Sequence, residues 1–382
     1  MSAHWLWIGA LLAGACLCAA RAGCLGDDPL RGVNLSGPEF NGNRLPGVVN
    51  QDFVYPRQAD LAYFAAAGAN VIRLPLRWER LQPALWEPID PTVAAAVDTV
   101  LAQAAALELC VILDLHNHGQ YRGTAIGGEG VPEEAFIDFW KRMAARFPDA
   151  QLAALGLMNE PNLLSTRAWS ALARRTVHKL RKAGAGHLLL VSGGRWSGAH
   201  DWFSAPVGDL SNAEAFAPLS DRLQRSLVEI HQYADPGYSG TGSECVEPAR
   251  LSAMLDRLAA WAGASGQRLF LGEFGVPASA GCLAALEAML VALRDAPAWK
   301  GWAYWAGGPW MGNYPLGIQP RAGLNLQPGG SAGVRSRGKA GSSQGGRPAS
   351  GNGRPGVQAA GAGDTPQFGV LRPYLPGQEA AR

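Results

Sequence analysis

The sequence predicts a single (β/α)8 barrel, an α/β fold in which eight parallel strands are each followed by a helix. Three observations carry this prediction. Short, nearly continuous apolar segments alternate with helix-period segments, as in a parallel sheet covered by helices. The alternation runs over about 250 residues or a little more, the usual length of such a barrel. The rival, an open doubly wound sheet binding a nucleotide, wants a GxGxxG fingerprint after its first strand, and "RGVNLSGPEF" does not supply one.

The elements follow in order. "LRGVNLSG" is the first strand, with a helix through "ADLAYFAAAGA". "NVIRLPLRW" precedes the helix "PTVAAAVDTVLAQAAALE", and "LCVILDLHN" precedes "EEAFIDFWKRMAARF". "LAALGLMNE" is the fourth strand; Pro161 ends it, and its helix sets Trp169, Leu172, Val177 and Leu180 on one face. "HLLLVSGG" is fifth, followed by the less regular "AHDWFSAP". "RSLVEIHQY" is sixth, with Leu251, Met254, Leu255, Leu258 and Trp261 along its helix. "RLFLGEFGV" leads into "CLAALEAMLVALRDA", and "WKGWAYWAGG" is the eighth strand.

The closing helix is set apart. From about Arg321 to Gly363 the chain is Gly, Ser, Ala, Arg and Pro with almost no large apolar residue, the composition of a solvated, disordered insertion. "TPQFGVLRPYL" then resumes an apolar pattern and is expected to close the barrel. The expected organisation is thus a leader at 1–22, the catalytic barrel at 23–320, the insertion at 321–363, the closing helix at 364–376 and a tail at 377–382.

Composition narrows the function classes. A chain of 382 residues with 48% hydrophobic and 17% charged residues has ample material for one large globular core. The formal charge of +2 is unevenly spread. Arg321, Arg335, Arg337, Lys339, Arg347 and Arg354 all lie in the acid-free insertion, so the remainder is mildly acidic and has no basic stripe for nucleic acid. The apolar run from Trp5 to Ala20 is short for a stable membrane span, and small residues around Ala22 suit cleavage before Gly23. This reads as a secretory leader, although no Lys or Arg precedes the apolar run. A lipid on Cys16 or Cys24 is the lesser alternative, since the preceding residues match that use poorly. Export implies an oxidising compartment. Cys245 and Cys282, both in loop-like contexts, are then the best disulfide candidates, and Cys110 in its apolar strand is expected to be a buried free thiol. No CxxC or His-rich spacing suggests a metal site.

The chemistry is expected at the C-terminal ends of the strands, where the βα loops of such a barrel begin. Polar residues gather there: Arg73 on the second strand, His116 and Asn117 on the third, and Asn159 and Glu160 on the fourth. His231 and Tyr233 end the sixth, Glu273 the seventh and Trp305 the eighth. Any one alone would be ordinary packing or a buried ion pair. Two glutamates ending apolar strands at one rim, beside a cation and aromatic surface, match the needs of glycoside hydrolysis. One acid must carry a proton for the leaving oxygen; the other must be ionised. Arg73 and a tyrosine hydroxyl are expected to keep Glu273 ionised, and Glu160 is expected to hold the proton.

"RGVNLSG", "NVIRLPLRW", "VILDLHN", "LMNEPN", "EIHQY", "LGEFG" and "WAYWAGGPW" together resemble glycoside hydrolase family five, most closely its secreted endo-β-1,4-glucanases. The resemblance covers roughly Leu30 to Gln319 and resumes at "PQFGVLRPYL". It implies Glu160 as acid/base, Glu273 as nucleophile, Arg73 as the contact of the nucleophile and Asn159 as a 2-hydroxyl ligand. His116, His231 and Tyr233 would line the cleavage subsite, Trp305 would stack on the sugar, and Asn117 and Trp196 would support or bind it. It further implies a monomer acting on β-glucan with retention, without metal or cofactor, and a Cys245–Cys282 bridge. Two departures stand out. Gly194 replaces an asparagine common in relatives, and "HNHGQYRG" replaces a more aromatic pattern after His116.

Overall fold

A computed structural model describes residues 23–320 and 363–378. The proposed leader, almost all of the insertion and the last four residues of the tail lie outside the described residues. All eight expected strands form: β1 Leu30–Leu35, β2 Val71–Leu76, β3 Cys110–Leu115, β4 Ala153–Gly156, β5 Leu189–Ser192, β6 Ser226–His231, β7 Leu269–Glu273 and β8 Trp299–Gly307. Each pairs in parallel with its sequence neighbours, and β8 pairs with β1 to close the barrel.

Besides a single helical turn at Trp78–Leu81, the helices between the strands are α1 Gln58–Ala66, α2 Pro91–Ala105, α3 Glu133–Arg146, α4 Thr166–Lys182, α5 Asn212–Phe216, α6 Pro248–Ser265 and α7 Ala280–Asp295. Local chemistry marks several starts. Asp90, Ser165, Ser211 and Ser279 each accept a backbone N–H of the first turn, meeting donors that have no partner inside the helix. The main core lies between sheet and helices, where Trp140, Trp169, Leu172, Leu180, Leu255 and Leu286 are almost fully buried. A smaller apolar cluster fills the barrel itself, from Leu30, Val71, Ile112, Leu190 and Phe270.

The closing segment lies where its apolar pattern predicts. Helix α8, Pro366–Leu371, sets Phe368 against Tyr63 and Phe64 of α1, with ring centroids 5.2 and 5.4 Å apart. The hydroxyl of Tyr374 bonds Glu287 of α7, so this segment bridges the first and last helices of the ring.

The cysteines differ from expectation in one respect. Cys245 and Cys282 are bridged, as the context and the resemblance imply. Cys110 is not a free thiol: it is bonded to Cys24. Cys24 folds under the N-terminal end of the barrel, held by its backbone N–H donating to Gln151 O at 2.8 Å, and joins the inner cluster. Strand periodicity marks Cys110 as buried but carries no information about a partner 86 positions earlier. No described helix is long and apolar enough to cross a membrane.

Candidate active site

Arg73 organises the C-terminal mouth of the barrel. It is the third residue of β2 and is fully buried. Its guanidinium meets three carboxylates: Asp114 of β3 at 3.0 Å, Glu229 of β6 at 2.9 Å and Glu273 of β7 at 2.9 Å. It also donates to Asn34 Oδ1 and Asn159 Oδ1, both at 2.8 Å. A planar cation with five donors can serve so many acceptors, which a lysine ammonium cannot. Asn34 in turn donates to the carbonyls of Gly272 and Ala303, tying the cluster to β7 and β8.

Glu273 accepts from Arg73 on one oxygen and from the Tyr233 hydroxyl on the other, at 2.9 and 2.8 Å. Glu160, just beyond β4, has φ +41°, a left-handed conformation uncommon outside glycine and typical of residues held for function. Its Oε1 lies 2.9 Å from His231 Nδ1. Carboxylate oxygens of Glu160 and Glu273 lie within 4.8 Å of one another, with a His231 ring nitrogen in the same group. No separate His, Cys, Asp and Glu cluster with metal-ligand spacing occurs among the described residues.

The expected site residues come together here with one exception. His116 Nδ1 bonds Asp114 at 2.9 Å, and its Nε2 faces the Asn159 amide nitrogen at 3.3 Å. Asn159 is thereby held at both ends, its oxygen on Arg73 and its nitrogen on His116. The Trp305 ring stacks on His116 with centroids 5.5 Å apart and planes 15° from parallel. Trp196, half exposed, completes the lining of a cavity of about 680 Å³ shared with His200, Tyr238 and Tyr314. Asn117 is the exception: like Arg73 and Asn159 it is buried and does not line the cavity, but unlike them its side chain bonds none of the other site residues. Its oxygen accepts from Trp78 N, and its nitrogen donates to Glu79 and to Gln120 O, so it fastens the loops after β2 and β3. At Gly194, a Cβ would lie 2.9 Å from Thr166 Cα, so the backbone has closed over the position from which an asparagine side chain would extend.

Burial and charge act strongly here. Burial and then the neighbouring charge of Glu160 push Glu273 up to about 7, against the pull of His231, Arg73 and Tyr233. Burial also acts to raise Glu160, but the His231 hydrogen bond and the His231 charge bring it below its usual value. Burial disfavours the His231 imidazolium, yet Glu273, Glu160 and Glu229 together push it up to about 10. Burial and the positive neighbours His118 and Arg73 hold His116 neutral. The division of charge therefore differs from the sequence expectation. Glu160, expected to hold the proton, is drawn toward ionisation by His231, and Glu273, expected to be held ionised, is pushed toward protonation. The reason is a contact between residues 71 positions apart.

Asn34, Asp114, His118 and Glu229 were not singled out from the sequence. A signal was present for two of them: Asp114 lies two residues before His116, and Glu229 two before His231, so each pair faces the barrel interior together.

Residues 31–308 match the family model of cellulase, glycosyl hydrolase family 5. An endo-β-1,4-glucanase, Xac0029, from Xanthomonas axonopodis pv. citri superposes with a TM-score of 0.79 at 35% identity, over 92% of this chain and 99% of that one. XacCel5A, solved in complex with cellopentaose, is 40% identical with a TM-score of 0.74, covering 76% of this chain and 94% of its own. A probable endo-β-1,4-glucanase B of Neosartorya fischeri is 30% identical over 76% of this chain and 86% of its own. With the family model spanning most of the barrel, and with two carboxylates meeting at its mouth, this chain belongs to the cellulase family, glycosyl hydrolase family 5.

Proposed function

We propose that this protein is a retaining endo-β-1,4-glucanase, with Glu273 as nucleophile and Glu160 as acid/base. The observation that carries the reading is the approach of the two carboxylates to within 4.8 Å. Retaining enzymes hold this pair about 5–5.5 Å apart, whereas inverting ones need about 6.5–9.5 Å to admit a water. The β-1,4-glucan substrate is supported by the names of the related enzymes, cellopentaose bound to one of them included.

In the first half-reaction a Glu273 oxygen attacks the anomeric carbon, and the bond from that carbon to the glycosidic oxygen breaks. The leaving oxygen takes the proton held by the Glu160–His231 pair; transfer from His231 Nδ1 to Glu160 Oε1 spans a 2.9 Å hydrogen bond. In the second half Glu160 accepts a proton from water as its oxygen attacks the same carbon and releases Glu273. Two displacements restore the configuration. Asn159, buried against Arg73 and His116, is proposed as the 2-hydroxyl ligand, and Trp305 and Trp196 line the cavity and offer faces on which sugar rings stack.

Secretion is the reading of the N-terminal leader, supported by the two disulfides. With Cys24 bridged to Cys110, its sulfur is not free to carry a lipid.

Reducing-sugar release from carboxymethylcellulose, mannan and mixed-linkage glucan tests the proposal, with Glu273→Gln as control. Release from the two β-glucans and loss of at least about a thousandfold in the variant are expected, in line with removing one of a set of residues that act as a unit. Release from mannan alone would reassign the substrate, and a variant with wild-type activity would refute the nucleophile.

A further inference from the structure

Glu229 takes no part in the mechanism just described, although it is 1% exposed and lies against two of the groups that do. It is two residues before His231 on β6, so both side chains project into the barrel. A single oxygen, Oε1, lies 2.9 Å from Arg73 Nε and 3.3 Å from His231 Nε2. The strand beside it is shaped to admit that oxygen: a Cβ on Gly272 would lie 2.1 Å from it, so no side chain is tolerated at Gly272 while Glu229 is there.

The contacts decide which ring nitrogen of His231 carries hydrogen. Burial acts to raise Glu229, but the Arg73 charge and the His231 hydrogen bond bring it below its usual value, so it is an ionised acceptor. A ring nitrogen with an unprotonated lone pair facing that carboxylate would be repelled; Nε2–H facing it is a charge-assisted hydrogen bond. With Nε2–H directed at Glu229, Nδ1 is left facing Glu160 at 2.9 Å. One proton then lies along that line, on Nδ1 or on Glu160 Oε1.

We propose that Glu229 is a positioning residue that fixes hydrogen on His231 Nε2, so that Nδ1 and Glu160 share the proton delivered to the leaving group. The inference rests on the reading of Glu160 as acid/base. Other charged or titratable groups acting on His231 are Glu160 beyond β4, Glu273 on β7 and, through its charge, Asp114 on β3. His118 and His116 act on Glu160 from the loop after β3. Among the charged groups of the described residues, Glu229 alone contacts Nε2, so its removal acts on one ring nitrogen.

The test combines nitrogen-15 spectroscopy of His231 in the full chain with the pH profile of kcat/KM on an aryl β-cellobioside. In the wild type, Nε2 is expected to stay protonated throughout the active pH range. In Glu229→Gln, which removes one negative charge beside the ring, the ring should lose its proton at least one pH unit lower. The basic limb of kcat/KM should move down with it, because the shared proton is lost more readily. A variant whose activity falls by the same factor at every pH, with the His231 titration unmoved, would show a purely structural role and overturn the proposal. Should Glu229→Gln fail to fold, the wild-type spectrum decides: an unprotonated Nε2 with hydrogen on Nδ1 overturns it, and a protonated Nε2 upholds it. A wild type that hydrolyses no glucan would defeat the glucanase reading, while the same spectrum still decides for or against Glu229.

Discussion

Replacing Tyr233 by phenylalanine isolates one hydrogen bond to the proposed nucleophile. The Tyr233 hydroxyl donates to Glu273 Oε2 at 2.8 Å, and both groups are nearly buried. Phenylalanine keeps the ring and removes only the donor. A hydrogen bond to a charged group contributes about 1.5–3 kcal/mol, and it does so only when Glu273 is ionised. At about 1.36 kcal/mol per pKa unit, its loss should raise the Glu273 pKa by about 1–2 units. The sign follows directly: a donor that stabilises the carboxylate depresses its pKa, so removing it makes protonation easier. Burial and the charge of Glu160 already push Glu273 up to about 7, and the variant carries it further in that direction. At a pH below the new value, less of the enzyme holds an attacking carboxylate. The assay is kcat/KM on an aryl β-cellobioside from pH 4 to 10, with circular dichroism to verify folding. The acid limb should move up by about 1–2 pH units, and activity near pH 6 should fall by about ten- to a hundredfold, each pKa unit being a factor of ten. An acid limb that stays in place, or moves down, would refute the reasoning.

Two further expectations concern stability. Cys24–Cys110 closes a loop spanning 86 positions and Cys245–Cys282 one of 37, so chain entropy assigns them about 4.6 and about 3.8 kcal/mol respectively. Double Cys→Ala variants compared by urea denaturation should therefore lose more stability at the first pair; the reverse order would show that constraint of the unfolded chain does not set the difference. The buried Arg181–Asp221 pair, 2.8 Å apart, should make stability fall in acid. Burial acts to raise Asp221, but the Arg181 and Ser226 hydrogen bonds depress it far below its usual value. Its contribution is therefore complete above the unfolded value of about 3.9 and is lost progressively below it. Asp221→Asn should lower stability at pH 6 and flatten the decline between about pH 4 and pH 2. An equally steep decline in the variant would exclude Asp221 as its source.

Much of this protein is legible along the chain, for a physical reason. Strand and helix periodicities are local, and a parallel strand buried on both faces reads as an apolar run ending in a turn. The eight strands, the closing helix carrying Phe368, and the polar residues at the strand ends follow from that pattern. Glu160 and Glu273 are recognisable because a carboxylate directly after an apolar strand is out of place unless it has a task.

What the chain alone does not determine is which side chains share a hydrogen bond, because that depends on strand register and barrel closure. Closure gathers Asn34, Arg73, Asp114, Asn159, Glu229 and Glu273 into one cluster, although Asn34 and Glu273 are 239 positions apart. It turns Asn117 away from the cavity, bonds Cys110 to Cys24, and sets His231 between Glu160 and Glu229. The sequence by itself determined where carboxylates stand at the mouth of the barrel. The tertiary structure decided how those carboxylates and His231 shift one another's ionisation, because a buried group answers to charges a few ångströms away in space, wherever they lie along the chain.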